Sequence, residues 1–258
     1  MSTWILLRGL TRETRHWGAL TDALRDVAGI EHLLPIDLPG NGEFSTVRAP
    51  ANVAEMVDFV RLAALQSGVP GPYCVLAMSL GGMAATHWAQ RHPAEIERLV
   101  LINTSMRPFS RVTERLRPSA WPTLLDVAAH WRDARRAEAG IHRVTCNRKE
   151  TLDADLDAWS EIRRSRPVGR ANALRQLWAA ARFTADAAKP QCPLLILSSR
   201  GDELVDPSCS SRLAAAWHAP RREHPWAGHD LPHDDPAWTA EQIRAWLAHY
   251  DAELDAAF

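Results

Sequence analysis

Val75-Leu76-Ala77-Met78-Ser79-Leu80-Gly81-Gly82 is an apolar run that ends in a serine between small residues and passes into a segment, Leu80 to Gln90, of helical character up to the stop at His92-Pro93. A serine on a sharp strand-to-helix turn has its hydroxyl pushed off the sheet edge, and the strained backbone leaves little room for side chains two positions to either side. Ala77 and Gly81 meet that demand. The string alone is weak evidence, since serine and small residues often meet by chance. Its strand-before, helix-after setting gives it weight.

Outward from this turn, Trp4 to Leu7, His32 to Ile36, Tyr73 to Ala77 and Leu99 to Ile102 read as short β-type runs, separated by amphipathic stretches such as Val53, Met56, Val57, Val60 and Ala64. That alternation predicts a βαβαβαβ order, a mainly parallel, doubly wound α/β sheet with helices on both faces. From Arg107 to Ala185 the strand-like runs vanish. Helix-period sets replace them: Leu124, Ala128, Trp131; Leu152, Leu156, Trp159; Leu174, Leu177, Trp178, Ala181. Lys189-Pro190 and Cys192-Pro193 end this stretch. A fifth strand at Leu194 to Leu197, a helix around Ser210 to Trp217, a sixth strand before Gly228-His229 and a closing helix from Pro236 to Tyr250 follow, the last with Trp238, Ile243, Trp246 and Leu247 toward one face. The expected organisation is a core of residues 1–106 and 186–258 interrupted by a helical insert at 107–185.

Composition narrows the function classes. The 258 residues are 46% hydrophobic and 24% charged with a formal charge of −1, so the chain can bury a core and has no bulk electrostatic pull toward nucleic acid or an anionic membrane. No stretch reaches the length of a membrane span and the start lacks a cleavable-signal layout, so a cytoplasmic location is expected. Cys74, Cys146, Cys192 and Cys209 lie far apart, without zinc spacing, and read as reduced, packed thiols with no metal role. Gly40-Asn41-Gly42 lacks a third glycine and no G-K-[ST] occurs, which argues against nucleotide chemistry.

A serine hydroxyl is a poor nucleophile until a base takes its proton, and on this sheet topology the acid and histidine follow in that order. Asp202 stands just past the carboxyl end of the strand-like Leu194-Leu195-Ile196-Leu197, where functional groups of open α/β sheets gather. Asp206 lies four residues further on, and Asp230 adjoins the histidine too closely to reach around to its ring. Asp202 is therefore preferred. Trp226-Ala227-Gly228-His229-Asp230-Leu231-Pro232 supplies His229 as base, while nearby His224 and His233 read as surface residues. The oxyanion formed on attack needs two backbone donors. Leu80, after the nucleophile, and Leu10, in the glycine-bearing loop Leu7-Arg8-Gly9-Leu10, are the candidates.

These segments together resemble the α/β-hydrolase family, specifically its small lidded esterase-like members, among them carboxylesterases and carrier-linked methyl ester esterases. The resemblance runs nearly the whole length: Arg8-Gly9-Leu10 where the family has His-Gly-x, then Trp17, Asp37-Leu38-Pro39-Gly40-Asn41-Gly42, the serine turn, Gly201-Asp202-x-x-Val205 and Gly228-His229. It implies the α/β-hydrolase fold with an inserted helical lid at 107–185, a Ser79, Asp202, His229 triad and no cofactor. Arg8 and Asn41 each replace a histidine common in the family. Neither position carries the proton transfer, although pocket polarity can change.

Serine with an oxyanion hole points to acyl transfer, hence hydrolysis of carboxylic esters or thioesters through an acyl-enzyme. Cleavage of a C–C bond, lactone or amide on the same triad, and a non-catalytic ligand-binding role, are the alternatives. The insert carries 16 Lys and Arg against 9 Asp and Glu, a net of +7 that leaves −8 on the rest. Arg163, Arg164, Arg166, Arg170 and Arg175 are read either as solvated outer faces or as an attractor for an acidic substrate or protein carrier. Trp121, Trp131, Trp159 and Trp178 of the same region are expected mainly as packing, some facing an apolar acyl group.

Overall fold

The computed structural model describes residues 2–255. Six strands form one sheet: β1 (Trp4–Leu7), β2 (Leu33–Pro35), β3 (Tyr73–Met78), β4 (Ile96–Ile102), β5 (Leu194–Ser199) and β6 (Arg221–His224). Their spatial order is β2-β1-β3-β4-β5-β6 and every pairing is parallel. The second strand, Leu33–Pro35, is shorter than its sequence suggests.

Side chains alternate across the strands, and both faces are buried. Ile5, Leu7, Val75, Ala77, Leu99, Leu101 and Ile196 join one apolar cluster, while Trp4, Leu6, Cys74, Leu76, Val100, Ile102, Leu195 and Leu197 join the other. That double burial is why these strands read as unbroken apolar runs rather than alternating ones. The first cluster is closed by α2 (Val53–Gln66), α3 (Leu80–Arg91) and α9 (Ser208–Trp217), the second by α1 (Leu20–Asp26) and α11 (Pro236–Asp255). Asn52 starts α2 by accepting the Glu55 amide at 2.9 Å, a side-chain cap for an otherwise orphaned donor.

Between β4 and β5 lie the helices of the insert: α4 (Val112–Arg115), α5 (Trp121–Ala129), α6 (Ala134–Thr145), α7 (Leu152–Ser165) and α8 (Arg170–Arg182). Their apolar faces only partly match the helix-period sets. Trp159 and Leu156 are buried, but Leu174, Leu177, Trp178 and Trp121 are exposed, and Val127 rather than Ala128 faces inward on α5. On α8 the buried face is polar instead. Gln176 takes the Thr11 amide and gives to Pro39 O and Asn41 Oδ1, and Asn172 takes the Ala49 amide and gives to Val47 O. These two amides satisfy loop backbone that no strand pairs, which outweighs the apolar stripe in orienting the helix.

All four cysteines are free and buried. No helix among the described residues is long and apolar enough to cross a membrane.

The order reverses at β1: the chain leaves it toward β2 on one side and returns to β3 on the other. A crevice opens at such a switch point, beyond the carboxyl ends of the strands. α3 sits close to it because Gly81 lacks a side chain; a Cβ there would lie 2.4 Å from Leu7 O and 2.6 Å from Arg8 O. Both neighbours are backbone and cannot swing aside. Gly81→Val is expected to destabilise the fold by about 3 kcal/mol or more, the upper range for overpacking, read as a lowered urea midpoint; an unchanged midpoint would show that α3 packs differently.

Candidate active site

Ser79 joins β3 to α3 with φ 53° and ψ −118°, a left-handed backbone that L-residues adopt only where the surroundings impose it. The Ser79 amide donates to Ile102 O at 3.0 Å, and its carbonyl accepts from Thr104 Oγ1 at 2.8 Å and from the Met83 amide at 3.2 Å. Gly82 leaves room for Thr104, since a Cβ there would fall 2.7 Å from the threonine's own Cβ. The turn is thus held from β4 as well as from its own helix. On the other side Gly9 presses on Ser79, its ideal Cβ only 3.1 Å from Ser79 Cβ.

Asp202 and His229 meet in the interior. His229 Nδ1 lies 2.7 Å from Asp202 Oδ2, and the residues are 3% and 2% exposed, respectively. The second carboxylate oxygen accepts the amides of Leu204 and Val205 at 2.9 and 2.8 Å, so the loop after β5 wraps its own aspartate. With Nδ1 directed at the carboxylate, Nε2 is left as the ring's other functional atom. No hydrogen bond joins Ser79 Oγ to this ring among the described residues. Such contacts are often loose without substrate and tighten in the complex.

The competing carboxylates are otherwise engaged. Asp206 accepts the Ser208 amide at 2.9 Å at the start of α9. Asp230, 2% exposed, accepts from the two terminal guanidinium nitrogens of Arg8, at 3.0 and 2.5 Å, with the Arg8 guanidinium carbon 4.8 Å from the Trp17 ring centroid. Burial alone would push the Asp230 carboxyl up, but the Arg8 charge and its hydrogen bonds hold it below the ordinary aspartate value. Arg8, the departure at the first loop, therefore has a structural partner beside the histidine. Asn41, the second departure, is buried and donates to Arg12 O at 2.8 Å.

His224 and His233 are not the surface residues expected. His224 is 2% exposed, with Nδ1 taking the Ala227 amide at 2.9 Å, and thereby shapes the turn leading to His229. His233 is half-buried against Asp155 and Trp159, on α10 (Leu231–Asp234). Both follow from the same cause: the loop after β6 is folded inward, so its polar residues must find internal partners.

Two positioning residues escaped the sequence reading. Asn103 follows β4 with φ 44° and donates its amide to His229 O at 2.8 Å and Ser199 Oγ at 2.9 Å, while taking the Ser199 amide at 2.9 Å. Asp234 accepts the amides of Gly228, Asn147 and Arg148, tying the histidine loop to the segment after α6. An asparagine directly after a strand is a usable sequence signal for such a left-handed position; the aspartate carries none.

The insert adds charge near this loop cluster. Arg12 Nη1 and Arg163 Nη1 grip opposite oxygens of the buried Glu138 at 2.6 and 2.8 Å, and their guanidinium carbons stand 4.4 Å from the Trp159 ring and 4.1 Å from the Trp131 ring, respectively. Arg163 is thus internal, whereas Arg164 and Arg170 are exposed. A cavity of about 480 Å³ is lined by Trp131, Arg132, Arg163, Arg164 and Arg170 among others, and its walls include none of Ser79, Asp202 and His229.

A sheet with this order, a strained serine turn after β3 and an inward histidine loop after β6 define an α/β-hydrolase. Residues 14–234 match the family described as "Serine aminopeptidase, S33", and the chain belongs to that family. It is 30% identical over 242 residues to the "Putative carbamate hydrolase RutD" of Klebsiella pneumoniae, covering 87% of this chain and 83% of that one. It is 36% identical over 87 residues to the pimeloyl-[acyl-carrier protein] methyl ester esterase of Chromobacterium violaceum, covering 34% and 29%. Curated relatives are matched over unequal shares of their own length, from 94% down to 12%. Among solved structures, a putative lipase from Acinetobacter baumannii superimposes with a TM-score of 0.77 at 18% identity, over 98% of this chain and 85% of that one.

The Arg8–Asp230 pair yields a test. Arg8→Met leaves a buried carboxylate unpaired and is expected to cost about 3–5 kcal/mol at pH 7. In the wild type the folded Asp230 value is depressed, so its contribution is complete above the unfolded value of about 3.9 and is lost as pH falls through the folded one. Without Arg8, burial raises the folded value and the sign reverses. The stability gap between wild type and variant should therefore narrow as pH drops from 7 toward 4 in chemical denaturation, and a gap independent of pH would contradict the pairing.

Proposed function

We propose that the protein hydrolyses carboxylic esters, thioesters included, through an acyl-enzyme on Ser79, with His229 as base and Asp202 holding the imidazole. The buried Asp202–His229 pair, at the same sheet edge as the serine turn, carries this reading. In the first step His229 Nε2 takes the Ser79 proton as Oγ attacks the acyl carbon. The imidazolium formed is stabilised by the carboxylate, then gives the proton to the leaving alcohol or thiol. Water, activated by the same nitrogen, releases the acid.

The backbone amides of Leu80 and Leu10 are assigned to the oxyanion. Leu80 opens α3, where amides lack helical acceptors. Leu10 follows the glycine that abuts Ser79, and the next amide, Thr11, is already committed to Gln176 Oε1 at 3.0 Å. Each donor of this kind contributes about 2.7–4 kcal/mol to the transition state. The likeness to a methyl ester esterase supports esters as the substrate class.

The helices at 107–185 act as a lid in this reading, and their net positive charge favours an anionic substrate or an acidic carrier over a neutral one. Hydrolysis of a carbamate or amide is the second reading, favoured by the family description and by the carbamate hydrolase relative.

Ser79→Ala should lower kcat/KM on a short-chain ester by about 10⁴-fold or more and abolish labelling by a fluorophosphonate, with the melting temperature kept. A folded wild type that neither labels nor turns over any ester, thioester, lactone or carbamate in a panel would refute catalysis and leave the ligand-binding alternative. For the lid, kcat/KM of an anionic acyl ester should fall with added salt while that of a neutral analogue stays level. Parallel salt profiles would remove the charge-steering role.

A further inference from the structure

We propose that His142, Cys146 and His233 form a site for a divalent transition metal of zinc type, at the joint between the helical insert and the loop bearing His229. One donor atom from each lies within 4.8 Å of the other two. His142 and Cys146 are one turn apart at the end of α6, the i,i+4 spacing that puts two side chains on one face. His233 comes from α10, on the far side of the joint. Asp155 of α7 adds an oxygen, its Oδ2 standing 3.1 Å from His233 Nε2 and 3.5 Å from His142 Nε2.

A second observation points the same way. His142 is 1% exposed, yet its Nε2, 3.5 Å from Asp155 Oδ2, makes no hydrogen bond. A buried imidazole nitrogen in that state is costly and calls for a ligand.

Two imidazoles, a thiol and an adjacent carboxylate are the mixed N, S and O set that suits zinc. Zn–N bonds of about 2.0–2.1 Å and a Zn–S bond of about 2.3 Å place tetrahedral donors roughly 3.3–3.6 Å apart, so the three groups need to close by about 1 Å. On binding, the Cys146 S–H bond breaks, an S–Zn bond forms and the proton leaves to solvent.

The site's place in the fold gives it a structural role. Thr145 O takes the Asp230 amide at 2.7 Å, and Asp234 binds amides on both sides of the joint. A metal held by α6 and α10 would fasten the same seam, four residues from His229. Sequence spacing hides it, because the donors come from separate elements and only His142-x-x-x-Cys146 is local.

The untagged full chain, loaded with ZnCl₂ and passed over a chelating resin, is assayed for metal by plasma mass spectrometry beside Cys146→Ser, His233→Gln and the control Cys192→Ser. One retained equivalent is expected in the wild type and the control, with loss in the other two. Co²⁺ loading should give the wild type a thiolate-to-cobalt charge-transfer band. A wild type that retains no metal, or retention undiminished by Cys146→Ser, overturns the site. Should the variants not fold, a cobalt-loaded wild type without the thiolate band does so equally.

Discussion

The two carbonyl oxygens that close β1 determine how near α3 can come to the sheet, and much of the site follows from that approach. Gly81 lies against Leu7 O and Arg8 O, while Gly9 lies against Ser79 Cβ. A side chain at either glycine would push the helix and the first loop apart. The left-handed backbone at Ser79 is sustainable because β4 holds it as well, through Ile102 O and Thr104. Strain at one residue is offset by packing and hydrogen bonds from three neighbouring segments.

Charge burial is the second organising feature, and its main pairs sit where the insert or the first loop meets the core. Arg8 spans to Asp230, Arg12 and Arg163 share Glu138, and Asp234 collects three amides. Removing two charges from water is expensive, so such pairs contribute less to stability than to geometry: breaking one strands its partner, which penalises any other arrangement of these loops. The imidazole of His229 is consequently fixed twice, by Asp202 at its ring and by Asn103 at its carbonyl. In the proposed mechanism, an imidazole held this way would spend little reorganisation energy on becoming charged.

The insert follows a different rule from the core. Its helices expose Leu125, Leu174, Leu177 and Trp178 while burying Asn172, Gln176 and Glu138. Apolar periodicity identifies a helix but chooses the inward face only when the neighbouring surface is itself apolar. Here the neighbours are loops rich in unpaired backbone groups, and amide side chains satisfy them better than leucine does. The expectation that the helix-period sets mark packing faces therefore fails on α8 and holds on α7, where Trp159 meets rings and a guanidinium.

Read alone, the sequence determined the elements and their order. Unbroken apolar runs at Trp4–Leu7, Val75–Met78 and Leu194–Leu197 exist because both sheet faces are covered, and the small residues around Ser79 exist because the turn is strained; both are local demands that leave local marks. Ser79 and Asp202 could be picked out as candidates for the same reason, each sitting just past a recognisable apolar strand. Only tertiary structure decided what the polar residues between those landmarks do: that Arg8 clasps Asp230, that His224 and His233 turn inward, that Asn103 and Asp234 brace the histidine loop, and that His142 and Cys146 meet His233. These are contacts between segments far apart in the chain, set by which loops share a cavity, and no periodicity within one segment encodes its partner in another.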